Sequence, residues 1–176
     1  MKPVSFRQII AELHESLGIP ENYAYQHNLG LCEECADTIS IGNDVFGREQ
    51  KLAPEAAHAW FKMRDEAALS GIELQVASAF RPVDYQAEII RRKLDSGQSS
   101  GGILEVSAAP GYSEHHSGRA LDITTPGFEP LEEEFEKSPA FEWLTQTAGA
   151  YGFRMSYPRN NRHGVIYEPW HWYWMG

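Results

Sequence analysis

Two stretches of the chain concentrate side chains that can hold a metal ion and move a proton. One is Ser113-Glu114-His115-His116-Ser117-Gly118-Arg119-Ala120-Leu121-Asp122, the other Glu168-Pro169-Trp170-His171-Trp172. Between them they offer imidazoles, a carboxylate able to act as a ligand, and a second carboxylate placed to exchange protons. A catalytic zinc site commonly takes three protein ligands and leaves a fourth position for water, and these residues meet that inventory. The two stretches are remote in sequence, so such a site exists only once the chain has folded.

Glu168 and His171 are separated only by Pro169 and Trp170, so they stay close whatever the local backbone. If His171 holds a metal, Glu168 stands beside the water activated there. It can then accept that water's proton and deliver it to a leaving amine. Trp170, Trp172 and Trp174 make the surroundings apolar, although aromatic residues in such positions serve equally as core. His115 and His116 are neighbours that an extended backbone points to opposite sides, so one at most faces a given metal. The residues alone leave open which.

Asp122 falls in a predicted strand, where a carboxylate is costly to bury without a partner. Zn²⁺ is one such partner. Two imidazoles and a carboxylate suit zinc, and other metals of similar ligand preference fit the same set. The His-Glu-x-x-His helix common in metalloproteases is absent, because His14-Glu15 has no second histidine at that spacing. His14, His27, His58 and His163 read as surface or hydrogen-bonded core histidines. Arg81 precedes Pro82 in a loop of the kind where functional residues collect. Its fork suits a bidentate grip on a substrate carboxylate, the competing reading being a surface arginine paired with Asp84.

The elements that must position these groups read as follows. Phe6, Ile9, Ile10, Leu13 and Leu17 form a helical stripe within Ser5 to Leu17, ended by Gly18 and Pro20. Residues 21 to 50 are irregular, with room for a short strand at Thr38 to Ile41. A second helix starts at Pro54 and closes at Gly71. A strand over Ile72 to Ala77 leads into the Ser78 to Pro82 turn, then a helix from Asp84 to Leu94. Asp95 to Gly102 reads as a mobile Gly/Ser loop near the mouth of a site. Ala120 to Ile123 is a strand, while Glu132 to Glu136 and Phe141 to Tyr151 are helical. Glu132, Glu133 and Glu134 read as a solvated face rather than a binding feature. Strands near Gly152 to Met155, Val165 to Glu168 and Trp172 to Trp174 finish the chain. Helices in front and antiparallel-type strands behind give an α+β fold.

Composition narrows the partners. The 176 residues suffice for one domain with a real core, and 42% hydrophobic and 23% charged residues are ordinary globular values. A formal net charge of -10 argues against nucleic acid, since phosphate binding needs clustered Lys and Arg and only Arg91-Arg92-Lys93 comes close. There is no apolar run long enough for a transmembrane helix. Met1 to Leu17 lacks the apolar stretch of a secretory leader, so the expectation is a cytoplasmic protein as the chain stands, exported if a leader has been removed. Cys32-Glu33-Glu34-Cys35 lacks the second pair a zinc knuckle needs and the context of a redox motif, and reads as structural.

The blocks Ser113-x-His115-x-x-Gly118-x-Ala120-x-Asp122 and Glu168-x-x-His171-Trp172 resemble the zinc D-alanyl-D-alanine carboxypeptidases of the vancomycin-resistance type. That group also includes D,D-dipeptidases, L,D-carboxypeptidases and phage L-Ala-D-Glu endopeptidases. Ser78-Ala79-Phe80-Arg81-Pro82-x-x-Tyr85-Gln86 and Tyr151-Gly152-Phe153-Arg154 resemble further blocks, and the similarity runs from Lys51 to Trp174. The resemblance implies zinc held by His115, Asp122 and His171, with Glu168 as general base and acid. It implies that Arg81 steadies the substrate carbonyl or carboxylate and the developing oxyanion. Ser113 and Gln86 would touch the terminal D-alanine. The implied fold is a small α+β domain whose antiparallel sheet carries the ligands. Residues 1–50 match no block and are expected to be an extension packed on a domain of residues 51–176.

The reading that follows is a zinc peptidase removing a C-terminal D-alanine from peptidoglycan stem peptides or precursors, as a D,D- or L,D-carboxypeptidase. Two alternatives remain open. One is an endopeptidase cutting within the stem peptide at L-Ala-D-Glu, and the other is a non-catalytic zinc-binding module of the same fold. A purely structural zinc site fits poorly, because such sites are usually closed by four Cys or His ligands.

Overall fold

The computed structural model describes residues 4–176. Helix α1 (Phe6–Leu17) starts at Ser5, whose hydroxyl accepts from the Gln8 amide while Gln8 reaches back to the Ser5 amide. This capping box satisfies two donors that a helix start leaves unpaired. A short helix α2 (Tyr23–Gln26) follows, then an antiparallel hairpin of β1 (Ile39–Asn43) and β2 (Glu49–Leu52). Helix α3 (Pro54–Leu69) has its proline in the first turn, where the missing N–H costs nothing. Then come β3 (Gln75–Ser78), α4 (Val83–Asp95), α5 (Ser100–Val106), a 3-10 turn at Glu114–Ser117 and β4 (Ala120–Thr124). A 3-10 segment at Glu133–Lys137, α6 (Pro139–Thr147), β5 (Phe153–Met155) and β6 (His171–Trp174) complete the chain.

The central sheet has strand order β3-β4-β6-β5 and is antiparallel throughout. Its two faces are separated by strand alternation. Leu121, Ile123 and Trp172 point into a core shared with α3 and α6, where Trp60, Met63, Phe135 and Leu144 are buried. Asp122 and His171, the intervening residues, therefore point to the other face. A second apolar cluster joins Leu17, Ile19 and Tyr23 to Ala87, Ile90, Ile103 and Leu104, so α1, α2, α4 and α5 share one core. Each fully buried Leu or Ile contributes roughly 1.5–3 kcal/mol relative to exposure, which makes both clusters substantial.

The α+β class and the antiparallel sheet stand as the sequence led one to expect. Three local expectations change. The predicted mobile loop is shorter, because residues 100–106 form α5, whose start is capped by the Ser99 hydroxyl accepting from the Gly102 amide. Two glycines at its start hide a helix that packs through Ile103 and Leu104. Val165 to Glu168 is not a strand, and the backbone turns there so that the His171 amide reaches the Glu168 carbonyl. The sheet carries two of the expected ligands rather than three, since His115 lies on the 3-10 turn beside it. A division at residue 50 falls inside β2, which is paired with β1.

Residues 32–35 run against the ligand-bearing turn. The Cys32 amide donates to the Gly111 carbonyl, the Cys35 amide to the His116 carbonyl, and Glu34 accepts from the Val83 amide at the start of α4. Both cysteines are free, and burial pushes the Cys32 thiol up to about 11, away from the reactive thiolate form. Among the described residues no helix is long and apolar enough to cross a membrane.

Candidate metal centre and active-site cleft

The centre is built on a single cross-strand row. Register pairs Ser78 of β3 with Asp122 of β4, and Asp122 with His171 of β6. Residues directly opposite in an antiparallel ladder project from the same face, so three side chains from distant parts of the chain meet without any long side chain having to reach. Asp122 Oδ1 lies 3.0 Å from His171 Nδ1, and its Oδ2 lies 3.2 Å from His115 Nε2. Ligand atoms of His115, Asp122 and His171 all lie within 4.8 Å of one another, and all three residues are buried.

His115 arrives from the side. Ser113 begins the 3-10 turn, its hydroxyl accepting from the His115 amide, and Gly118 ends it with φ +66°. A Cβ at Gly118 would stand 2.9 Å from the Ala53 amide nitrogen, so only glycine fits this close approach. The segment after β3 clasps the turn: His115 Nδ1 bonds the Ala79 carbonyl at 2.6 Å, and the Arg81 amide donates to the His115 carbonyl. A proton on Nδ1, held by that carbonyl, leaves the Nε2 lone pair free toward Asp122.

The adjacent histidines are thereby separated. His116 Nδ1 bonds the Arg81 carbonyl at 2.6 Å and its Nε2 accepts from the Gly111 amide at 3.1 Å. Both nitrogens are engaged with backbone, and burial pushes its pKa down to about 4. His116 is a neutral structural pin. Three of the histidines set aside in the sequence also bond backbone: His14 bonds the Pro110 carbonyl, and His27 and His163 bond each other's backbone, while His58 is exposed.

The electrostatics of the cluster favour positive charge between its carboxylates. Burial works against the Asp122 charge, yet His115 and His171 more than offset it and hold the carboxyl far below its ordinary range. Burial likewise disfavours a charged His171, but Asp122 and Glu114 together carry its pKa up to about 10. Positive charge is thus drawn to the space between these groups. Two imidazoles and a carboxylate converging there fit Zn²⁺.

Glu114 is a site residue to which the sequence reading gave no role. Its Oε2 lies 2.9 Å from His171 Nε2 and accepts from the Ser156 hydroxyl at 2.6 Å. This orients the ring so that Nδ1, not Nε2, faces Asp122, the carboxylate–histidine arrangement that tunes metal ligands. The available signal was a carboxylate next to the ligand histidine, in a position the motif leaves variable. Tyr157, also unremarked, packs its ring 4.9 Å from that of His171.

Glu168 sits at the edge of the cluster, its Oε2 3.8 Å from His171 Nδ1. Burial, reinforced by the charges of Asp122 and Glu114 against the opposing pull of His171 and Arg81, pushes its carboxyl up to about 7. Arg81 donates to Ser78 Oγ at 3.0 Å and to Gln86 Oε1 at 2.8 Å, with Asp122 Oδ2 3.9 Å away. Gln86 therefore differs from the expectation of a substrate contact. It is fully buried behind Arg81, and its amide nitrogen donates to the Ala108 carbonyl, so it aims the guanidinium instead.

Arg81, Ser113, Glu114, His115, Asp122, Glu168 and His171 all line one cleft of about 480 Å³. Its far wall and lips are formed by Tyr85, Lys93, Val106, Ser107, Leu131 and Ile166.

Comparison with known proteins gives the family. Residues 49–176 match the VanY family, described as D-alanyl-D-alanine carboxypeptidase. YodJ of Bacillus subtilis (strain 168) is 33% identical over 177 residues, 96% of this chain but 60% of YodJ, so the chain spans less than two thirds of that relative. The solved LdcB LD-carboxypeptidase, described for its peptidoglycan recognition, is 34% identical with a TM-score of 0.73, covering 81% of this chain and 70% of that one. A mutant of the vancomycin-resistance D,D-pentapeptidase VanY, solved with Zn(II), is 26% identical with a TM-score of 0.60, covering 86% and 82%. The match over residues 49–176 contains every residue of the cluster just described, and the chain belongs to the VanY family of D-alanyl-D-alanine carboxypeptidases.

Proposed function

We propose that this chain is a zinc-dependent peptidase that removes a C-terminal D-alanine from peptidoglycan stem peptides or their precursors. The observation that carries the reading is the convergence of His115, Asp122 and His171 within 4.8 Å in a cleft that also holds Glu168 and Arg81. The names of the similar LdcB and VanY structures, an LD-carboxypeptidase and a D,D-pentapeptidase with Zn(II), support it.

His115, Asp122 and His171 would hold the zinc. Bound there, zinc supplies Lewis acidity, acidifying water and polarising a carbonyl. Glu168, with a carboxyl pushed up to about 7, takes the proton from the attacking water and gives it to the departing amine. Arg81, aimed by Ser78 and Gln86, presents its remaining N–H groups to the substrate carbonyl or terminal carboxylate and to the oxyanion as it develops. Ser113 lines the cleft beside His115, where its hydroxyl meets the terminal D-alanine. Residues 32–35 brace the turn carrying His115.

The test uses zinc-loaded protein with D-Ala-D-Ala dipeptide, a tetrapeptide ending in D-alanine, a pentapeptide and a cross-linked muropeptide, read by mass spectrometry. Chelator-sensitive loss of one alanine is the expected result, and the preferred length assigns D,D- or L,D-specificity. Internal cleavage would replace the assignment with an endopeptidase. Bound zinc without any product would leave a binding module.

A further inference from the structure

Three arginine and lysine side chains line the cleft among the described residues, and they are not equivalent. Arg81 is held by Gln86, Ser78 and the nearby Asp122 carboxylate. Arg48 forms an ion pair with Asp44 at 2.8 Å and donates to the Ala77 carbonyl. Lys93 differs: its ammonium donates to the neutral Ser107 hydroxyl at 2.9 Å, and no carboxylate of the described residues lies within 4.0 Å of it.

Lys93 sits in the last turn of α4, where a cation is favoured by the helix dipole. Yet its side chain leaves the helix end to reach Ser107, just past α5, across the wall of the cleft. Tyr85, Ile89 and Lys93 follow one another at four-residue spacing on the cleft-lining face of α4, in line from the Arg81 end. The ammonium is half-buried and close enough to Arg81 for the two like charges to oppose each other, both effects pulling its pKa down. Desolvating an ammonium beside another cation is unfavourable unless an anion joins them. Nothing in the proposed chemistry uses this charge.

We infer that Lys93, steadied by Ser107, binds a second substrate carboxylate, on the side chain of the residue at the amino side of the scissile bond. The inference rests on the carboxypeptidase reading, and it narrows the substrate class to peptides that are acidic at that position. Arg81 and Ser113 take the terminal carboxylate, common to all C-terminal peptides, whereas Lys93 separates acidic from neutral ones.

The experiment compares two peptides that end in D-alanine and differ only in carrying glutamate or glutamine before it. Wild-type, Lys93→Gln and Lys93→Arg proteins, all zinc-loaded, are assayed for kcat/KM. Peptide binding to the Glu168→Gln form of each is measured separately by calorimetry. The glutamate peptide should be favoured by about tenfold in both readouts, as for a partly desolvated charge pair. Lys93→Gln should erase the preference and Lys93→Arg should keep most of it. An equal loss on both peptides in Lys93→Gln would mean that Lys93 serves the shared terminal carboxylate, and would overturn the inference. So would a wild-type protein without preference, or a preference untouched by Lys93→Gln. If neither peptide is cleaved, the carboxypeptidase reading fails, while the calorimetric ratio still decides the role of Lys93.

Discussion

The two sides of the cleft are held in different ways. On the sheet side, Ser78, Asp122 and His171 are set by strand register, and nearly every polar atom there has a protein partner. On the helix side, Lys93 meets a single hydroxyl, and Tyr85, Val106, Leu131 and Ile166 stand between about a third and a half exposed. The sheet side is over-determined and suits chemistry that tolerates little displacement. The helix side is loosely held and suits substrate selection, which can be varied without disturbing the ligands.

The comparison can be broken most severely on the sheet side. Asp122→Asn should abolish zinc binding and activity together, measured as metal content after dialysis and as turnover. Glu168→Gln should lower kcat by about 10³-fold with zinc content unchanged, which separates proton transfer from metal holding. Glu114→Ala should weaken zinc affinity by about 10–100-fold, because His171 loses the acceptor that fixes its ring. Metal competition titrations check this, and wild-type affinity in that variant would demote Glu114 to a bystander.

Two smaller effects sharpen the contrast in stability. Asp44 is buried and accepts from the Phe46 and Arg48 amides, the Arg48 side chain and the Gln50 amide group, tying the hairpin that flanks the cleft. Burial opposes its charge, but these donors hold its carboxyl below the usual range. A depressed carboxyl contributes stability above its unfolded pKa, and that contribution is lost as pH falls through the folded value. Asp44→Asn should therefore cost about 2 kcal/mol at neutral pH and progressively less in acid, followed by urea denaturation. Leu131, on the lip, holds φ +64°, a conformation that branched side chains rarely adopt. Leu131→Gly should raise stability by about 0.5–1 kcal/mol while weakening substrate binding, visible as a higher Tm with a higher KM.

Legibility in the sequence followed the range of the interactions. Helices α1, α3 and α4 were readable from apolar spacing and, for α3, a first-turn proline, all local signals. α5 was not, since Ser100-Gly101-Gly102 reads as loop until Ile103 and Leu104 find the second core. Gln86 was expected to touch substrate because it falls in the Ser78 to Gln86 block that resembles the family. Only packing shows that it stands behind the guanidinium.

By itself the sequence determined which residue types are available and in what order. That sufficed for the α+β class and, through the blocks that resemble the family, for the family and the expected members of the cluster. The tertiary structure decided which nitrogen of each histidine faces inward, because that depends on acceptors far away in the chain: Ala79 for His115, Arg81 for His116 and Glu114 for His171. It also decided which cleft cation lacks an anion, since a charge is paired or unpaired only against neighbours that folding brings within a few ångströms.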